Sequence, residues 1–210
     1  MRITGLLGSG RTELALALFG ALRADQGTIE RDGRPVEIKS IQDAVGNSIG
    51  YVPEDRLTEG LFLEDSIEDN IIIRMLNETN KTFVDRDMLK DSARGVAERL
   101  AIKMDSMSAP VKSLSGGNQQ RVVLAKWLSI LPKILILNGP TVGVDIGSKA
   151  EIHQILRELA AEGMSLIVIS DDISELMQTC NRIFLMNRGR LSAEFQTREI
   201  SEQTISQQLT

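Results

Sequence analysis

The first twenty residues constrain the fold of this 210-residue chain more than any others. Residues 2–7 read as a short apolar strand that runs into Gly5-Leu-Leu-Gly8-Ser9-Gly10-Arg11-Thr12, and an apolar helix follows over 14–20. Strand, glycine loop and helix with the spacing G-x-x-x-x-G-x-[ST] form a cradle in which the backbone N–H groups of the helix start face an anion. Glycine permits the tight turn and the close approach, and the Thr12 hydroxyl is of the type that reaches a magnesium ion beside a phosphate. At position 11 the usual lysine is replaced by Arg11, which keeps the charge but brings a planar, bulkier fork. The same letters could form a plain glycine-rich turn, so the reading depends on the residues downstream.

A second phosphate-binding element follows at 114–121, Leu-Ser-Gly-Gly-Asn-Gln-Gln-Arg. Ser115, Gly116 and Gly117 stand directly before a helix-forming run that continues from Gln119 to Trp127. They offer a hydroxyl, free backbone N–H groups and no bulk.

The rest of the chain reads as one α/β domain over 1–210. Hydrophobic residues make up 42% and charged residues 25%, enough for a sizeable core. Residues 48–52, 134–137 and 165–169 are apolar at consecutive positions, as in parallel strands covered on both faces. Residues 28–30 and 36–38 flank a turn at 31–35 and predict a hairpin. No strand pattern occurs between 67 and 125, where Met88, Leu89, Val96 and Leu100 recur at helical spacing. A further amphipathic helix is predicted over 150–161, with Ile152, Ile155, Leu156 and Leu159 on one face. His153, the only histidine, falls one residue off that face and is expected at the surface. Trp127 and the eight methionines are expected in the core.

Charge and cysteine content narrow the function. A net charge of -5 without a lysine or arginine stripe argues against a nucleic-acid partner. The single cysteine, Cys180, cannot form an internal disulfide; it suggests a reducing compartment and a small apolar filler. No apolar run is long enough to span a bilayer, so any membrane role is expected to be peripheral.

Four stretches carry a resemblance: Gly8-Ser-Gly-Arg-Thr-Glu13, Tyr51-Val-Pro-Glu-Asp-Arg56, Leu114-Ser-Gly-Gly-Asn-Gln-Gln120 and Gly143-Val-Asp145. In this order they resemble the second nucleotide-binding half of bacterial monosaccharide-importing ABC ATPases, the ribose/galactose/xylose group. The resemblance runs from Met1 to a hairpin at about 187–191. It implies a P-loop NTPase core with a mostly parallel sheet flanked by helices, and a helical subdomain at about 63–127. ATP and Mg2+ are the implied cofactors. Nucleotide contacts are implied for Gly5, Gly8, Ser9, Gly10, Arg11 and Thr12 of the P-loop, for Ser115, Gly116, Gly117 and Gln119 of the signature, and for Asp145 of the D-loop, with Thr12 a weak magnesium ligand. The implied partners are an intact nucleotide-binding half, membrane permease subunits and, indirectly, a periplasmic sugar-binding protein. The implied location is cytoplasmic, at the inner face of the plasma membrane.

Several positions depart from an ATPase. The strand over 133–137 ends in Asn138-Gly139-Pro140-Thr141, where the family pattern is Asp-Glu-Pro-Thr. The aspartate normally supports magnesium and the glutamate polarises the attacking water; an amide and a glycine can do neither. Loss of a general base alone costs roughly 10²- to 10⁴-fold in rate. Glu54 stands in the Q-loop glutamine position and reads as a solvated acid. Asp171 stands in the switch-histidine position, an acceptor where a donor is needed. The second half of the resembled group often lacks the P-loop lysine and switch histidine but keeps its signature, which accounts for Arg11, Glu54 and Asp171. Asn138 and Gly139 are not accounted for in this way. Met1 also falls almost on the P-loop strand, so the family's preceding antiparallel segment, with its adenine-stacking aromatic residue, has no counterpart. A split or truncated product, a mis-called start and a natural fragment are all compatible with that. The expected function is an ATP-binding half of a sugar importer that is degenerate at its own P-loop and lends its signature to a partner's site. A weak autonomous ATPase and a non-transport ABC protein are the alternatives.

Overall fold

The computed structural model describes residues 1–78, 85–170, 172, 173, 177 and 180–209. They fall into two compact units. The first comprises Met1–Tyr51, Lys133–Pro140 and Leu156–Thr210, and the second Val52–Pro132 and Thr141–Ile155.

The first unit is built on β1 (Arg2–Thr4), α1 (Arg11–Leu18), the pair β2 (Ile29–Arg31) and β3 (Arg34–Val36), α2 (Ile41–Gly46) and β4 (Ile49–Val52), whose last residue belongs to the second unit. To these it adds β5 (Ile134–Asn138), β6 (Ser165–Ile169), β7 (Arg182–Asn187), β8 (Arg190–Gln196) and a short C-terminal helix, α7 (Glu202–Leu209). A six-stranded sheet runs in the order β4-β5-β6-β1-β7-β8. The strand before the P-loop is central: β1 pairs in parallel with β6, Ile3 opposite Ile169, and with β7, Ile3 opposite Phe184. β4 and β5 are buried as their consecutive apolar residues require, with Leu135, Ile136 and Leu137 at most 1% exposed, whereas β6 is buried only at Val168 and Ile169. At the antiparallel edge, β8 shows only alternate partial burial. Beneath it Ile183, Leu185 and Ile205 form a small core, against which half-buried Cys180 packs.

The hairpin turns more tightly than the sequence suggests. Asp32 and Gly33, at φ 53° and 72°, form the whole loop, so the return strand begins at Arg34.

The second unit contains α3 (Ile67–Glu78), α4 (Arg86–Arg99) and α5 (Gly116–Leu128), with α5 packed on the other two. Asn70, fully buried, explains how α3 starts. Its Nδ2 donates to Phe62 O (2.8 Å) and Ser66 O (2.9 Å), and its Oδ1 accepts from Phe62 N (2.8 Å), so no polar atom of the amide lacks a use. α5 is buried through Val122, Val123, Leu124, Ala125, Trp127 and Leu128, as expected for Trp127. α6 (Ile146–Ala161) starts in the second unit and ends in the first.

Two expectations are corrected. His153 is 7% exposed, not at the surface, because it lies three residues before Leu156 and shares the buried side of α6. Of the eight methionines expected in the core only Met186 is buried, and Met88 is 58% exposed; the buried stripe of α4 and its C-cap is Leu89, Ala93, Ala97 and Leu100, two of which are small residues with little hydrophobic signal. No described helix is long and apolar enough to cross a membrane.

Candidate nucleotide site and signature loop

In the first unit β1 delivers the chain into the glycine loop. Gly8 and Gly10 adopt φ 76° and 96°, a region L side chains rarely enter. Gly5 has no room for a side chain, since a Cβ there would meet Met186 O and lie 2.6 Å from Ser9 Oγ. The loop is pinned by Ser9 N donating to Leu6 O (3.0 Å) and Gly189 N donating to Ser9 O (2.8 Å). Ser9 Oγ is buried and has no hydrogen-bond partner among the described residues, a polar atom that a phosphate oxygen would satisfy. Arg11 lies over the loop: its Nη1 donates to Gly5 O at 2.6 Å, so one arm of the fork is spent on the loop's own backbone.

The end of β5 faces this loop. Asn138 is 3% exposed, and its Nδ2 lies 3.5 Å from Thr12 Oγ1 and 3.5 Å from Tyr51 OH, both at the outer limit of a hydrogen bond. Tyr51 is held by stacking on Phe19, with ring centroids 5.0 Å apart. The amide thus presents donors to Thr12, where a carboxylate would accept a proton or face a cation. Gly139 has φ 57° and donates its N–H to Ile169 O (2.9 Å). A glutamate at that position would have to take the left-handed conformation. The phosphate cradle therefore fits a polyphosphate, whereas the residues present do not fit its magnesium ion. Among the described residues no cluster of three or more His, Cys, Asp or Glu could hold a metal. Asp171 lies outside the described residues.

In the second unit the signature loop is a complete helix start. Ser115 is exposed and extended, with φ -61° and ψ 156°, immediately before the thirteen residues of α5. Its hydroxyl does not cap the helix but accepts a bond from Asn118 Nδ2 at 3.0 Å. Sequence reasoning assigned both glycines to phosphate approach, but each also meets a side chain of the same unit. A Cβ on Gly116 would lie 2.9 Å from Arg56 Nη2, and one on Gly117 would meet Ser148 Oγ and lie 2.5 Å from Ser148 Cβ. Gln119 is turned inward at 9% exposure, accepting from Arg56 Nε at 3.4 Å.

Asp145 is exposed and serves the start of α6. Its Oδ1 accepts from Ser148 N (3.0 Å) and its Oδ2 from Ser148 Oγ (2.7 Å), bonds that hold its carboxyl below the usual carboxylate range. Glu54 is exposed. Asp55 caps the π-turn Arg56–Gly60 through Leu57 N (3.0 Å) and Thr58 N (3.3 Å). Sequence reasoning noted Arg56 only as a motif letter and missed what it holds. The spacing of Asp145 and Ser148, an acid with a hydroxyl three residues on before a helix, could have revealed the cap.

The P-loop on its mostly parallel sheet and the signature at a helix start define an ATP-binding cassette, the α/β P-loop NTPase fold expected from the sequence. The structure resembles cbiO1 of Clostridium perfringens, part of the ABC transporter complex cbiONQ, with TM-score 0.80, 25% identity, and 99% of this chain and 79% of that chain covered. It also resembles the dimeric cassette MJ0796 in a post-hydrolysis state bound to ADP and Pi, with TM-score 0.79, 20% identity, and 95% and 85% covered. The ABC transporter family profile matches residues 1–142, and the chain belongs to that family. Among curated relatives, the ribose import ATP-binding protein RbsA 1 of Streptomyces coelicolor is 42% identical over 97% of this chain and 40% of its own length. The xylose import ATP-binding protein XylG of Geobacillus kaustophilus is 42% identical over 97% of this chain and 41% of its own. The chain thus spans about two fifths of the length of these relatives.

Proposed function

We propose that this chain is a degenerate nucleotide-binding half of an importer for a monosaccharide or related small carbohydrate. It binds ATP weakly at its own P-loop and does not hydrolyse it there. Its Ser115-Gly116-Gly117 loop covers the γ-phosphate of ATP held by an intact partner half, and the pair drives a membrane permease from the cytoplasmic face.

One observation carries this reading: an asymmetry between two phosphate-binding elements of the same chain. At the P-loop the buried carboxylate position is an amide at 3.5 Å from Thr12 Oγ1, and the next residue is a glycine at φ 57°. At the signature, hydroxyl, glycines and a thirteen-residue helix are all present, with Ser115 exposed. A helix start of that kind adds its dipole and N–H groups to the charge that develops on a transferring phosphoryl group. The import of ribose and xylose named for the relatives supports the cargo class.

The test is phosphate release by the purified chain with MgATP. The expected result is background turnover, unchanged by Thr12→Ala. Magnesium-dependent release that survives further purification and disappears in Thr12→Ala would instead make the chain an autonomous ATPase.

A further inference from the structure

We infer that Arg56 is a positioning residue for the signature loop, locking the start of α5 to the 142–148 segment through the fork of its guanidinium. This rests on the proposed donation of that loop to a partner's nucleotide.

Arg56 bonds to two pieces of chain that lie far from it in sequence. Its Nη1 donates to Val142 O at 2.9 Å and its Nη2 to Gly143 O at 3.0 Å, while Nε points at Gln119 Oε1 at 3.4 Å. The plane of the fork runs along Gly116, where a Cβ would come within 2.9 Å of Nη2, and along Gly143, where it would come within 3.1 Å of Nη1. Gly143 has φ 68°, so its carbonyl direction is one a glycine allows and most residues resist. Two residues further on, Asp145 caps α6 through Ser148, whose side chain abuts Gly117. Both signature glycines are therefore seated on side chains that belong to, or hold, the same loop.

The electrostatics favour a functional role over a merely stabilising one. A guanidinium beside the positive end of a helix is unfavourable in isolation. Here the Val142 and Gly143 carbonyls offset that repulsion, and the remaining N–H groups and the charge are still available. A polyphosphate arriving at Ser115 would turn the repulsion into attraction. Only a planar fork can span two carbonyls and an amide oxygen at once; a lysine in this place keeps the charge and loses the geometry.

The experiment compares Arg56→Lys, Arg56→Gln and Ser115→Arg in the transport complex purified with its permease and partner half, and each variant chain by amide hydrogen exchange. For Arg56→Lys we expect kcat for ATP hydrolysis to fall about 10- to 100-fold, the scale of a misplaced catalytic contact. The KM for MgATP should stay unchanged, because the partner's P-loop binds the nucleotide. In the isolated chain, Arg56→Lys should speed exchange at residues 116–119 and 143–148 and leave that of the β5 and β6 amides as it was. Wild-type turnover in Arg56→Lys alongside loss in Ser115→Arg would overturn the role of Arg56 and leave the signature donation standing. Normal turnover in Ser115→Arg would overturn the donation itself. Unchanged exchange at both segments would overturn the lock whatever the complex does, as would full rescue of Arg56→Gln by the lysine.

Discussion

Replacing Gly117 by alanine tests how the signature is held, and its cost can be worked from the structure. The added Cβ would meet Ser148 Oγ and stand 2.5 Å from Ser148 Cβ. Carbon atoms pack best at about 3.5–4.0 Å, so something must move by about 1 Å. Overpacking of this kind costs about 1–3 kcal/mol, and the better helix propensity of alanine returns at most about 0.5–1 kcal/mol. We expect Gly117→Ala to lose about 1–2 kcal/mol of stability. Ser148→Gly should lose about 1 kcal/mol through helix propensity and the bond to Asp145. The double variant removes the clash and should be more stable than the sum of the two losses by about 1–2 kcal/mol. Urea unfolding of the four proteins measures this. Additivity within about 0.5 kcal/mol would show that Gly117 does not rest on Ser148. The same contact means that Gly117 is a poor position for probing phosphate approach, because bulk there disturbs the fold first; exposed Ser115 is the cleaner one.

The own P-loop should bind ATP with Kd about 1 mM, near -4 kcal/mol, and the double change Arg11→Lys with Asn138→Asp should tighten binding; micromolar binding to the unmodified chain in calorimetry would contradict this. Adding Gly139→Glu should lower stability by about 1–2 kcal/mol, because that residue sits in the left-handed region, and urea unfolding would show it. Lys126 supplies a pH test: burial, and then the charge of Arg74, lower its pKa from 10.5 to about 8. The unfolded chain then binds more protons between those two values, so stability should rise as pH rises from about 8 to 10.5. Unfolding curves at several pH values should show that rise in the wild type and its loss in Lys126→Met.

Strands β1, β4 and β5 were legible because they are buried on both faces. Residues 134–137 and 166–169 have apolar side chains at consecutive positions, a pattern few other environments produce. The P-loop and signature were legible because glycine and hydroxyl spacing is dictated by the phosphate, not by the surrounding fold. His153 was misread because a helix's buried side is broader than its aliphatic residues alone suggest. The stripe of α4 was misread because Ala93 and Ala97, fully buried, carry almost no signal, whereas exposed Met88 carries much. Arg56 and Ser148 were not legible at all as supports of the signature, since their partners lie 87 residues away in the case of Gly143 and are defined only by packing. The inward turn of Gln119 has the same origin: its amide answers Arg56 across 63 residues of chain.

The division of labour between the two phosphate-binding elements is tested most directly by ATP hydrolysis in the assembled complex carrying either Ser115→Arg or Arg11→Ala in this chain. Ser115→Arg places a bulky charge on an exposed residue at the start of α5 and should abolish hydrolysis. Arg11→Ala removes a side chain already bonded to Gly5 O and should leave hydrolysis near the unmodified level. Loss of turnover in Arg11→Ala with normal turnover in Ser115→Arg would mean that this chain's own P-loop does the chemistry, and the account would be wrong.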